Sequence, residues 1–324
     1  MRGALSRSGS VWRAAARARI LMSTMQRRDF LGASMAALSF SALSAPGLAN
    51  RTASSPQDKP LARKITKNRL KQSVSRWCFG GFDLPTLGKH CVELGYSSIE
   101  LLNVDELATV QQLGLTCAVV NGPGFYTPGW SALTKGWNRT EHHEHLIAEA
   151  KRLLPLVKAA NCPNMIVFSG NRAGLSDAAG LENCAAGLKQ ITPLAESLGV
   201  TVVMELLNSK VDHHDYQCDR TPWGVELVKK VGSPRFKLLY DIYHMQIMEG
   251  DVIRTIRDHH AHIAHYHTAG VPGRNEIDDT QELFYPAICR AIVETGFTGY
   301  LGQEFIPKRD PLTSLGEAAA ICDV

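Results

Sequence analysis

The stretch Leu198-Gly199-Val200-Thr201-Val202-Val203-Met204-Glu205 joins two periodicities within eight residues. Behind it, Leu181–Leu198 reads as one amphipathic helix stopped by Gly199, because glycine past a helix end takes the left-handed conformation without a Cβ penalty. Ahead of it, Val200–Glu205 is a β-branched run that reads as a buried strand ending in a carboxylate. The unit recurs. Leu84–Leu94 precedes Gly95 and Val104–Leu113 precedes Gly114. Glu141–Ala160 is also helical, with Leu146, Leu153, Leu156 and Val157 on one buried stripe. Further strand candidates are Lys71–Trp77, Ser98–Leu102, Thr116–Val120, Met165–Phe168, Lys237–Asp241, His262–His267 and Tyr300–Glu304. Eight strands alternating with helices over about 250 residues predict an α/β fold, a single-domain (β/α)8 TIM barrel over residues 65–324. A doubly wound sheet is the alternative, but no GxGxxG turn follows the first strand.

In such a barrel the C-terminal strand ends surround the active site. The last four strands end in Val203-Met204-Glu205, Leu239-Tyr240-Asp241, His265-Tyr266-His267 and Gly302-Gln303-Glu304. One strand-end acid is readily explained as a cap or an ion-pair partner; four metal-capable groups on successive strands indicate a site. Two Glu, one Asp and one His form an oxygen-rich set for one divalent ion: Mg²⁺, Mn²⁺ or Co²⁺, with Zn²⁺ also compatible.

The segment Val231–Asp251, with Leu239-Tyr240-Asp241-Ile242-Tyr243-His244 at its centre, resembles the hydroxypyruvate isomerase branch of the sugar phosphate isomerase/epimerase (xylose isomerase-like) TIM barrels. So does Val271-Pro272-Gly273-Arg274-Asn275-Glu276. The resemblance covers about residues 70–310 and is most specific over 231–276. It implies metal ligation by Glu205, Asp241, His267 and Glu304, with Glu205 and Glu304 also transferring protons. His244 and Arg274 would contact substrate oxygens, and Asn208 and His265 complete the expected substrate-binding set. Histidine at 267 is the ketose-epimerase pattern, where hydroxypyruvate isomerases often carry Gln. The implied chemistry is removal of a proton α to a carbonyl, stabilisation of the enediolate by the ion and return of the proton. The implied partner is a small sugar or hydroxy-keto substrate, with assembly into a homo-oligomer left open. Two other readings are a non-catalytic sugar-binding barrel and an apurinic-site endonuclease-like metalloenzyme; the paired glutamates argue against the first.

Charge argues against the second. The 324 residues carry a formal charge of +4, but residues 1–49 hold seven Arg and one acid. Residues 50–324 are left with 28 basic and 30 acidic side chains, no excess for gripping a phosphate backbone. Nucleic acid is therefore not expected. Arg27-Arg28-Asp29-Phe30-Leu31, the apolar run Gly32–Leu43 and the exit Gly47-Leu48-Ala49 predict a twin-arginine export signal over 1–49, followed by a polar linker over 50–64. The run is too short for stable membrane insertion. The expected location is periplasmic or exported, with a cytoplasmic protein as the alternative. Eight scattered Cys without a CxxC pair read as small core residues.

Among other polar clusters, Glu141-His142-His143-Glu144-His145 reads as solvated surface, because consecutive residues diverge around a helix. Asp212-His213-His214-Asp215 follows the fifth strand and lies where loops reach substrate. Phe125, Trp130 and Trp137 in the third βα loop are candidates for the pocket wall, and His259, His260 and His262 read as structural.

Overall fold

The computed structural model describes residues 60–324; the expected export signal and most of the linker lie outside the described residues. Strand β1 (Lys71–Ser75) passes through a 3₁₀ turn at Arg76–Phe79 into α1 (Leu84–Leu94). Asp83 caps α1 by accepting the Thr86 amide at 2.7 Å, and Gly95 closes it at φ 99°. Then follow β2 (Ser98–Glu100), α2 (Leu107–Gln112), β3 (Val119–Val120), α3 (His143–Ala159) and β4 (Asn164–Val167). Helices α4 (Asp177–Leu188) and α5 (Thr192–Leu198) lead to β5 (Thr201–Glu205), α6 (Thr221–Val231) and β6 (Phe236–Asp241). The chain ends with α7 (Ile242–Met248), α8 (Val252–His259), β7 (Ile263–Thr268), α9 (Tyr285–Glu294), β8 (Tyr300–Gln303) and α10 (Pro311–Cys322).

All strand pairs are parallel, in the order β2-β1-β8-β7-β6-β5-β4-β3. Bridges Ser98↔Thr116 and Leu102↔Val120 join β2 to β3, and the Leu101 amide donates to Val119 O at 2.7 Å. The eight-stranded ring is the expected (β/α)8 architecture. Alternation along β5 turns Glu205 inward and sends Val202 and Met204, both fully buried, toward the helix layer. No helix among the described residues is long and apolar enough to cross a membrane. Seven of the eight Cys are buried and all are free thiols, as small core residues should be.

Several boundaries differ from the sequence reading. The single helix Leu181–Leu198 is two helices, because Pro193 has no amide to continue the ladder and disfavours helical geometry just before it. In α3, Leu156 is 45% exposed and Leu154 takes its place beside Leu146, Leu153 and Val157. Strand β1 stops at Ser75, so Trp77 swings over the barrel mouth instead of extending the sheet.

The beginning of the described chain is tied to its end. Asp323 accepts the amides of Thr66 (2.7 Å), Lys67 (2.9 Å) and Asn68 (3.0 Å), while Lys64 and Ile65 donate to Leu94 O. Burial opposes ionisation of Asp323, yet these donors hold its carboxyl below the ordinary value. Asp323→Ala should therefore cost about 1–3 kcal/mol in denaturant unfolding near neutral pH. The deficit should be complete above about pH 4 and shrink as pH falls through the lowered value. Equal midpoints at pH 7 would show that these bonds do not anchor the segment.

Candidate metal centre

Strand register brings the four predicted ends together. Paired residues of parallel strands face the same side: Asp241 pairs with His267, and His267 with Gly302, so Glu304 returns to that face two residues on. Glu205 pairs with Leu239, two residues before Asp241. One irregularity is decisive. Leu238 pairs with Ile263 but Leu239 pairs with His265, skipping Ala264. Without that bulge Asp241 would pair with Tyr266, and both histidines would face away from the carboxylates.

One ligand atom from each of Glu205, Asp241, His267 and Glu304 lies within 4.8 Å of all the others, and all four residues are buried. His267 Nδ1 is 3.2 Å from Glu205 Oε1, 3.0 Å from Glu304 Oε2 and 4.0 Å from Asp241 Oδ2. Asp241 Oδ1 caps α7 by accepting the His244 amide at 3.0 Å, while its Oδ2 is buried without a hydrogen-bond partner. An orphaned buried carboxylate oxygen is costly, and a divalent ion among these donors would satisfy it. The set of three carboxylates and one imidazole fits Mg²⁺, Mn²⁺ or Co²⁺ and is compatible with Zn²⁺.

The protein's own cations partly balance the cluster. Burial pushes Asp241 up to about 8, with Glu304 and Glu205 adding to the effect and Arg274 and His267 opposing it. Burial also raises Glu205, and the nearby Glu304 charge reinforces it. Glu304 goes the other way. Burial resists its ionisation, but His267, Arg274 and the Trp77 hydrogen bond hold it well below the usual carboxylate range. His267 is likewise raised well above its ordinary value, burial being overcome by Glu304, Glu100 and Glu205. Two glutamates on one imidazole thus sit in opposite electrostatic environments.

The mouth is built from loops. Arg274, at φ 60° in the turn after β7, donates through Nη2 to Glu304 Oε2, and its guanidinium lies over Trp77 and Tyr243. The Ile306 amide donates to Arg274 O at 2.7 Å, fixing that turn. Trp77 Nε1 donates to Glu304 Oε1 at 2.8 Å. Beside these groups opens a cavity of about 320 Å³, walled by Trp77, Phe125, Phe168, Leu207, His213 and Arg274, with Glu205 and Glu304 also exposed to it. A larger surface hollow, about 710 Å³ beside Phe284 and α10, contains none of the four clustered residues.

The remaining expected residues fall in different places. Asn208 Oδ1 accepts the Val211 and Asp212 amides, so its Nδ2 faces His244 Nδ1 at 2.6 Å as donor. That leaves the proton of neutral His244 on Nε2, 3.7 Å from Asp241 Oδ2. Asn208 is fully buried and orients His244 without lining the cavity. His265 does not line it either; its Nε2 lies 3.0 Å from Glu100 Oε1, one strand layer below the mouth. His213 does reach the wall.

The Glu141–His145 patch is solvated only in part: Glu141 and Glu144 are exposed, but the histidines turn inward. His143 is buried with Nε2 2.9 Å from Trp137 O, and His142 and His145 pack on Trp130. These contacts fold the third βα loop, leaving Phe125 as its aromatic in the cavity wall. Sequence reasoning missed Glu100, Trp77 and Tyr243. A carboxylate inside the apolar run Ser98–Leu102 was the available signal for Glu100.

Residues 79–322 match the family of xylose isomerase-like TIM barrels, and the chain belongs to that family. A 2-oxo-tetronate isomerase of Cupriavidus necator is 37% identical over 122 residues, 38% of this chain and 46% of that protein. A putative hydroxypyruvate isomerase of Homo sapiens is 29% identical over 163 residues, 49% of this chain and 59% of that protein. The match thus spans about half the length of these relatives. Among solved structures, one named AP endonuclease, family 2, from Brucella melitensis is 25% identical with a TM-score of 0.67, over 76% of this chain and 97% of that one.

Metal binding must displace the protons that the metal-free cluster holds on Asp241 and His267. Affinity for Mn²⁺ should therefore rise with pH up to about 8, with proton release measurable by calorimetry in buffers of different ionisation enthalpy. Asp241→Asn should weaken Mn²⁺ binding at least tenfold without lowering the thermal midpoint of the metal-free protein. The metal-free carboxyl is raised to about 8 and so is already largely neutral near pH 7, and Asn keeps the acceptor oxygen that caps α7. Unaltered affinity would remove Asp241 from the ligand set.

Proposed function

We propose that the protein is a divalent-metal-dependent isomerase or epimerase of a small sugar or hydroxy-keto acid, in the manner of a hydroxypyruvate isomerase. The observation that carries this reading is the placement of Glu205 and Glu304 on one imidazole nitrogen, at 3.2 and 3.0 Å, both opening on the same cavity. When bound, a divalent ion would act as a Lewis acid on the carbonyl and adjacent hydroxyl oxygens of the substrate. Glu205, whose carboxylate has His267 as its side-chain hydrogen-bond partner, is the freer group for taking a proton from the carbon next to the carbonyl. Glu304, braced by Trp77 and Arg274, holds its geometry and serves the neighbouring position. Arg274 supplies donors for substrate oxygens at the cavity wall, and the apolar wall of Phe125, Phe168 and Leu207 excludes water. His244 is buried outside that wall with its Nε2 facing Asp241. Isomerisation and epimerisation differ in where the proton returns.

The names of the relatives support the same class: each is an isomerase of a small oxo acid by its printed name. An endonuclease reading has the name of the Brucella structure in its favour. The net charge of -2 over residues 50–324 offers no match to a phosphate backbone. We also propose that residues 1–49 direct export through the twin-arginine route and take no part in the fold. Deleting them should leave the thermal midpoint of the remaining protein unchanged; insoluble product would contradict that role.

The functional test is a screen of ketoses and hydroxy-keto acids in deuterated water, following exchange at carbons next to the carbonyl. Glu205→Gln and Glu304→Gln should each lower turnover about 10²–10⁴-fold, the scale of a lost positioned acid–base group. The double mutant should cost far less than the product of the singles, because the pair acts as a unit. Wild-type turnover in both single mutants, with metal still bound, would refute the two-glutamate mechanism.

A further inference from the structure

We propose that Glu100 is a positioning residue that fixes the tautomer and ring plane of His267 from the opposite side of the barrel, and that Gly302 exists to make room for it. Glu100 ends β2, remote in sequence from the strands carrying the four clustered residues, yet its Oε1 lies 2.7 Å from His267 Nε2 and 3.0 Å from His265 Nε2. All three side chains are completely buried. A carboxylate has only acceptor lone pairs, so both imidazoles must present Nε2–H to it. The lone pair of neutral His267 is then confined to Nδ1, the nitrogen that faces Glu205, Asp241 and Glu304. His265 completes the brace, its ring edge-on to His267 at 90° with centroids 5.0 Å apart. This accounts for a buried histidine that does not line the cavity.

An independent observation comes from β8. A Cβ built at Gly302 would lie 2.1 Å from Glu100 Oε1 and 2.9 Å from His267 Cδ2. Any side chain there must push Glu100 off the imidazole, so the glycine two residues before Glu304 is a steric requirement of this carboxylate–histidine pair. A carboxylate behind a metal-ligating imidazole raises its basicity and fixes its orientation, and losing such a partner typically weakens metal binding 10–100-fold.

The inference rests on reading the tetrad as a metal centre, and one titration separates the two. Full-length protein is titrated with Co²⁺, reading the dissociation constant and the visible absorption of the bound ion. Glu100→Gln, which keeps an acceptor oxygen, should weaken Co²⁺ about tenfold, and Glu100→Ala about 100-fold with an altered spectrum. Gly302→Ala should weaken binding comparably in the wild-type background but add little to Glu100→Ala, since the carboxylate it displaces is already gone. Glu100→Asp should recover part of the affinity. A merely structural role would lower the thermal midpoint while leaving the Co²⁺ constant and spectrum in place, and that result in the soluble Gln variant overturns the proposal. Absence of Co²⁺ binding in the wild type would overturn the metal reading together with it.

Discussion

Four buried carboxylates, Glu100, Glu205, Asp241 and Glu304, converge on the imidazole of His267. Placing that much negative charge in a low-dielectric interior is prohibitive unless positive charge accompanies it. The protein supplies Arg274 at the rim and, without a metal, a protonated His267 at the centre. Neither reaches every acceptor: Asp241 Oδ2 and Glu100 Oε2 have no hydrogen-bond partner. The cluster thus leaves acceptors that a cation could satisfy, and the groups around it answer that electrostatic demand.

Backbone geometry meets the demand before any side chain moves. The skip at Ala264 turns two histidines inward on β7, and the capping of α7 by Asp241 Oδ1 leaves the other oxygen aimed at the centre. Asn208 then settles the proton of His244 by bonding its Nδ1. Each step uses a group already committed to local structure, so the site inherits the rigidity of the strands.

What could be read from sequence follows the range of the forces involved. Helix α1 was legible to the residue, because its cap and stop are local chemistry at Asp83 and Gly95. The four clustered residues were legible because strand ends share one face of a barrel. Glu100 was not, since its partners are 165 and 167 residues away and its strand has only three residues. The split at Pro193 was visible and was overridden by the apolar period around it. The burial of His143 depends on a loop folding back over α3, which no helical periodicity contains.

The site divides between strand and loop. Glu205, Asp241 and His267 stand on strands and Glu304 one residue beyond β8, where position follows from the barrel. Trp77, Phe125, His213 and Arg274, which shape the cavity, come from the loops after β1, β3, β5 and β7. Loops vary without disturbing the ring that carries them. The clustered residues are thus held by the ring, and the wall of the cavity by four separate loop segments. The contact of Arg274 with both Glu304 and Trp77 is where the two meet: a loop residue that sets the charge of a strand-end glutamate. A change in that loop alters the charge around Glu304 along with the cavity wall, so the two are coupled in this barrel.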